Sequence, residues 1–196
     1  MRVEADIAGD KRALTFLRRL GKEGQKAITR ATNNAGRKAR TLASTEIRKD
    51  VRLKAGYVRK KLKIRRATNK NQVFAIRAKR RGVLMTRYPY RELKRGGVSV
   101  GIKKGGPRKV LKGAFVTTVS ADGKRVPVIA VPVRRGPDGK RPKYKTGNTK
   151  IQVLYSPSVS QVFNTVRTRI TPEVMRYFEI QVDKEVNQAI KRITAR

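Results

Sequence analysis

Between positions 51 and 172 the chain carries 33 Lys and Arg residues and only three carboxylates, Glu92, Asp122 and Asp138. A segment with a net charge of +30 repels itself. Its basic side chains must stay on outer faces and loops, and dense assembly needs a polyanion or an acidic protein close by. The flanks differ. Residues 1–50 hold 13 basic and 6 acidic residues, and residues 173–196 hold 5 and 4. Nearly balanced ends suit packing on protein, and the cationic middle suits an anion. The total of +38 on 196 residues far exceeds the magnitude of roughly 2–8 that solubility requires. Nucleic acid is the usual polyanion for such a charge.

The residue types that are missing narrow the chemistry. The sequence has no Cys and no His, so disulfides, thiolate zinc sites, imidazole catalysis and the usual hydrolase triads are excluded. With 13 carboxylates spread along the chain, a two-metal nuclease site is not expected. No catalytic residue, metal ligand or cofactor site is assigned, and the chain is read as a non-enzyme. The polar, acidic start MRVEADIAGD lacks the apolar core of a secretory signal. The longest uncharged run, Ile151 to Val166, is interrupted by Ser156-Pro157-Ser158 and is not expected to span a membrane.

Periodicity predicts an α+β fold: a small, mostly antiparallel sheet, a long N-terminal helix, C-terminal helices and basic extended loops. It is read as one domain over 1–196, with an N-terminal helical region (1–50), a basic helix and sheet with loops (51–157), and C-terminal helices (158–196). Arg2 to Ile7 reads as a short strand, and Asp10 caps a helix carrying Leu14, Leu17 and Leu20. Gly21 and Gly24 are expected to interrupt or kink it. A long helix from about Lys26 to Lys49 carries Ile28, Ala31, Ala35, Ala39, Leu42 and Ile47 on one stripe. Its thin alanine face is expected to pack on the protein's own sheet, with a helix–helix or subunit contact as the alternative. A short basic helix is predicted over Tyr57 to Ile64.

Strands are predicted over Val73 to Ala78, Val98 to Ile102, Ala114 to Val119, Val126 to Val133 and Ile151 to Tyr155. Basic, glycine-rich connections lie between them at Lys79 to Gly82, Arg91 to Gly97, Lys103 to Lys112 and Arg134 to Gly147. Ser158 is expected to cap a helix through Ile170. Thr171-Pro172-Glu173 is expected to start another, because Pro favours the first helical position.

Lys and Arg on such loops suit phosphate backbones without reading bases. The candidate nucleic-acid contacts are Arg59, Lys60, Lys61, Lys63, Arg65 and Arg66 in the short basic segment. Lys79, Arg80 and Arg81 follow, then Lys103, Lys104, Arg108 and Lys109, then Arg134, Arg135, Lys140 and Arg141. Gly105-Gly106-Pro107-Arg108-Lys109 lacks the spacing of a nucleotide P-loop. Tyr88, Tyr90 and Phe115 could stack on bases, but no RNP pattern accompanies them.

The phrase Ile151-Gln152-Val153-Leu154-Tyr155-Ser156-Pro157-Ser158-Val159-Ser160-Gln161-Val162-Phe163 resembles the minor tail protein Z family of long-tailed phages and prophages. There, a strand ends in a Pro-Ser-Val turn and enters a helix. Ala27 to Ala31, the basic stretch Val58 to Ala67, and Gly113 to Val116 support the likeness, which spans roughly residues 22–193. Ser156, Pro157, Ser158, Val159 and Phe163 are the structural residues of the motif. Ser156 stands where the family pattern leads one to expect glycine, and the loop Gly136 to Gly147 looks longer and more basic than the pattern needs.

The resemblance implies a structural virion protein of the head-proximal tail end, engaged in tail completion and head–tail joining and holding the DNA end. It implies a homo-oligomeric ring, with sixfold symmetry favoured. The implied partners are tail terminator or tail tube proteins, head–tail connector proteins and phage double-stranded DNA, with no membrane, and assembly in the host cytoplasm. The alternative reading is a ribosomal or other RNA-binding structural protein, which needs neither the Pro-Ser-Val phrase nor the balanced C-terminal helices.

Overall fold

A computed structural model describes residues 21–121, 123–133, 144–146 and 149–194. The chain divides into two compact units. A helical unit comprises Met1–Ile47, Ala55–Lys79 and Ser160–Arg196, and a sheet unit comprises Arg48–Lys54 and Arg80–Val159. The Arg2–Ile7 strand and the helix capped by Asp10 lie outside the described residues.

Two long helices dominate the first unit: α1 (Lys22–Asp50) and α3 (Val159–Thr194). Helix α1 starts a turn earlier than its periodicity suggests. Gly24 lies inside it, buried, and does not break it. Glu23 in the first turn and Arg48 and Lys49 in the last suit the helix dipole. The stripe Ala27, Ala31, Ala35, Ala39, Ala43 and Ile47 is buried at every position. At Ala31 and Ala35 its partner is a helix: they form a cluster with Phe178 of α3, flanked by Tyr177 and Val182. Alanines let two helix backbones approach closely, and the Phe178 ring fills the remaining space. Burying such a ring contributes about 1.5–3 kcal/mol. Gly36 extends the thin face, and the buried Phe74 ring occupies the space a Cβ would need there.

Helix α3 runs unbroken through Pro172, where the sequence suggests a new start. Proline removes one N–H and clashes with the preceding turn, at about 3 kcal/mol. The stripe Val166, Ile170, Val174 and Phe178 is nevertheless buried on both sides of it, while Pro172 faces solvent. Tertiary packing outweighs the local break. Thr171 acts as an interior residue and not as a cap: its hydroxyl donates to the Arg167 carbonyl at 2.8 Å.

The basic helix is shorter than expected. Helix α2 covers Ala55–Lys61, and the chain then switches to strand β1 (Leu62–Arg65). β1 pairs antiparallel with β2 (Ala75–Ala78). Leu62 and Ile76 are buried while Lys63, Arg65 and Arg77 are exposed, which is a two-residue period. Pairing partners that are distant in sequence override the helical reading of Leu62 to Ile64.

In the sheet unit, β7 (Phe115–Ala121) and β8 (Lys124–Pro132) form a hairpin whose last pair is Ala121 with Lys124. Gly123 has φ 71°, the left-handed conformation that such a two-residue turn requires. The sheet continues as β7-β8-β10-β9, with β9 Tyr144–Thr146 and β10 Thr149–Val153. Val119, Val128, Ala130, Ile151 and Val153 form its core. The expected strand Ile151 to Tyr155 is two: β10, then β11 (Tyr155–Ser156), which pairs with β3 (Val83–Leu84).

A three-stranded sheet orders β4 (Tyr90–Glu92), β5 (Val98–Val100) and β6 (Lys109–Leu111). β3, β4, β6 and β9 therefore occupy stretches that read as connections or went unassigned, because strands of two or three residues are too short to show an alternation. The β5–β6 connection is also anchored. The Arg52 N–H donates to the Ile102 carbonyl at 2.9 Å, and the Lys104 N–H to the Asp50 carbonyl at 3.0 Å.

Candidate nucleic-acid interface

The stretch from Ala55 to Lys79 holds nine basic residues and no carboxylate. Helix α2 presents Arg59, Lys60 and Lys61 in its last turn, near the negative end of the helix dipole. It is pinned from α1, whose Arg40 Nη2 donates to the Arg59 carbonyl at 2.8 Å. Lys61 lies over the Tyr57 ring, 5.2 Å from its centre, which fixes its stem.

The β1–β2 ribbon continues this surface. Lys63 pairs directly with Arg77, and Arg65 with Ala75. The two pairs lie on one face, with Lys63, Arg65 and Arg77 all exposed. Directly opposed residues have Cα atoms only about 4.5–5.5 Å apart, and like charges there are destabilising. Among the described residues, none of these three cations has a carboxylate within ion-pair distance. Arg77 was not among the sequence candidates. It sits inside an apolar strand phrase, and only the register reveals what it faces.

Beyond β1, the backbone of Ala67 is clamped from α1. Asn33 Oδ1 accepts from the Ala67 N–H, and Asn33 Nδ2 donates to its carbonyl, both at 3.0 Å. This fixes the neighbouring Arg66, which is exposed. Lys79 is exposed just past β2, its N–H 3.4 Å from the Lys61 carbonyl. The helical unit thus holds seven of the candidates: Arg59, Lys60, Lys61, Lys63, Arg65, Arg66 and Lys79.

The sheet unit holds Arg80, Arg81, Lys103, Lys104, Arg108 and Lys109, all exposed at the surface. Arg108 has a structural task. Its Nε donates to the Ser99 hydroxyl at 3.1 Å, and its Nη2 reaches the carbonyls of Ser99 and Pro89 at 3.1 and 3.2 Å. These bonds tie the start of β6 across β5. Arg134, Arg135, Lys140 and Arg141 lie outside the described residues. Tyr88, considered above for stacking, is 3 % exposed and therefore not available to a base.

Among the described residues, no group of three or more carboxylates could hold a metal ion. Glu23 is held below the usual carboxylate range, chiefly by its hydrogen bond from Lys26 at 2.8 Å. This exposed pair supports the start of α1. No described helix is long and apolar enough to cross a membrane.

The family model described as prophage minor tail protein Z (GPZ) matches residues 7–196. The chain belongs to this family. No curated protein and no solved structure matches it. As a phage minor tail protein, it is a structural component of the virion that assembles with other tail components, and the family is not a known class of enzyme.

In this tail protein the motif phrase is buried structure. Ser156, Ser158, Val159 and Phe163 are each at most 5 % exposed, while Pro157 faces solvent. Ser156, standing in place of the expected glycine, has a role: its hydroxyl is 2.8 Å from the Tyr88 hydroxyl and 3.2 Å from the Pro157 carbonyl. The Ser156 hydroxyl donates to the Tyr88 oxygen, with the Pro157 carbonyl as a second acceptor within reach, so this buried hydroxyl is satisfied.

Proposed function

We propose that this minor tail protein works at the head-proximal end of the tail. It completes the tail, takes part in head–tail joining, and holds the genome's duplex by contacts that ignore sequence. It does so as a homo-oligomeric ring, sixfold by the symmetry of the tail tube, between terminator or tube proteins and the head–tail connector.

The observation that carries the DNA part is the opposed pair Lys63 and Arg77, with Arg65 beside it on one exposed face. The bare protein bears the cost of this repulsion, and a phosphate backbone relieves it. Nine basic residues without a carboxylate between Ala55 and Lys79 extend the same field. Each neutralised phosphate releases counterions, which drives binding without reading bases.

The test is binding of the full chain to two unrelated duplexes over a salt series. Log affinity should fall steeply and equally for both. Lys63→Gln, Arg65→Gln and Arg77→Gln together should flatten the slope by about 2.7, at about 0.9 per lost phosphate contact. The same variant should be slightly more stable without DNA, since the repulsion is gone. An unchanged slope, or binding specific to one duplex, overturns the DNA reading. Immunogold labelling of assembled tails tests the location, and label along the shaft or at the distal tip overturns it.

A further inference from the structure

A second feature of the helical unit lies outside the ribbon. Arg30, Asn33, Asn34 and Arg37 of α1, Glu185 of α3 and Arg66 after β1 line a cleft of about 430 Å³. The four α1 residues follow the i, i+3, i+4, i+7 spacing of one helix face. Three guanidinium groups stand against one carboxylate, leaving a formal +2 in the cleft.

The walls are built rather than incidental. Asn33 holds Ala67, and with it the backbone next to Arg66, through two hydrogen bonds of 3.0 Å. Asn34 Nδ2 donates to Gln181 Oε1 at 3.0 Å, joining α1 to α3, and its Oδ1 accepts from Arg37. These bonds set the positions of two of the three arginines before any ligand arrives, which lowers the ordering cost of binding.

Hydrogen-bond donors in the cleft are left unused. Arg30 Nε lies 3.0 Å from Glu185 Oε2, but the two lack the alignment of a hydrogen bond. Arg30 Nη2 is sealed from water and has no hydrogen-bond partner among the described residues. Glu185, itself 8 % exposed, offsets the charge of Arg30, and the charges of Arg37 and Arg66 remain. Arg37 and Arg66 are exposed at the mouth.

We infer that this cleft is a binding site for a phosphate group. Forked guanidinium donors on separate elements match a tetrahedral oxyanion, which accepts from several directions at once. Arg66 follows Arg65 of the ribbon directly, so a backbone phosphate of a duplex lying on the ribbon is one source. Free inorganic phosphate is the other. The site does not depend on the DNA reading, because its own residues and its own charge define it.

The experiment is a titration of the full chain with inorganic phosphate at constant ionic strength. It is followed through the NMR signals of the Asn34 side-chain amide and the Arg37 and Arg66 Nε–H groups. A saturable shift at these groups with one equivalent bound is expected. Arg37→Gln or Arg66→Gln should weaken it at least about tenfold, the effect of one charge-assisted hydrogen bond. Lys63→Gln with Arg77→Gln should leave it unchanged, although it flattens the salt slope with DNA, so the two readings fail separately.

A second arm adds duplex DNA. Displacement of phosphate from Asn34 makes the backbone the source. DNA binding that leaves the Asn34 shift intact makes free phosphate the source, and both support the site. A drift of all basic side chains without saturation overturns the inference. So does a Glu-rich peptide that shifts Asn34 where phosphate does not.

Discussion

Gly36 and Gly56 offer the same substitution at two helical sites with opposite expected signs. In an exposed helix, Gly→Ala stabilises by about 0.5–1 kcal/mol, because Gly loses more backbone freedom on folding. At Gly56, in the first turn of α2, a Cβ meets nothing within 4 Å. Gly56→Ala should therefore raise stability by about 0.5 kcal/mol. At Gly36 the new Cβ would fall within the ring of Phe74, which is 3 % exposed. Either the ring leaves its site, forfeiting part of the roughly 1.5–3 kcal/mol that its burial supplies, or α1 moves, at a similar overpacking cost. After subtracting the propensity gain, Gly36→Ala should destabilise by about 1–2 kcal/mol.

Urea unfolding of the two variants measures the difference. A gap of about 2 kcal/mol at a slope near 2 kcal/mol/M corresponds to midpoints about 1 M apart. On a Phe74→Leu background the penalty at Gly36 should largely vanish, giving a coupling of at least about 1 kcal/mol. If Gly36→Ala stabilises as much as Gly56→Ala, the Phe74 ring does not lie on α1, and the packing of the helical unit has been misread.

Two further outcomes follow from the hydrogen bonds. Ser156→Ala removes the buried hydrogen bond that Ser156 donates to Tyr88 and should cost about 0.5–1.5 kcal/mol in thermal or urea unfolding; Tyr88→Phe removes the same bond, so the double variant should cost less than the sum of the two, and an additive double variant would refute the pairing. Arg108→Gln removes three hydrogen bonds of the β4-β5-β6 sheet and should lower stability by about 1–3 kcal/mol. The salt slope of DNA binding should stay as it is, and a slope reduced by about 1 would assign Arg108 to phosphate instead.

The candidate interface was legible by composition and not by geometry. A run such as Arg59-Lys60-Lys61-Leu62-Lys63 announces positive charge, but its helical reading fails at Leu62, where β1 begins. Local propensity does not separate the two, since strand formation there depends on partners 75–78, ten or more residues away. Arg77 illustrates the same limit, because its meaning lies in facing Lys63. Arg30 and Arg37 were legible only as positions on an amphipathic helix. Arg108 looked like a loop cation, and only the folded sheet shows its donors occupied by Ser99 and Pro89.

The charge map, the α+β class, the long N-terminal helix, the helical C-terminal stretch and the family phrase around Pro157 all follow from residue types and their periods, which are properties of neighbours along the chain. Four outcomes required the third dimension: the packing of the alanine face on α3, the continuity of α3 through Pro172, the opposed cations of the ribbon, and the cleft at Arg30. Each depends on which distant residue fills the adjacent space or supplies the opposing charge, and no window of sequence contains that partner.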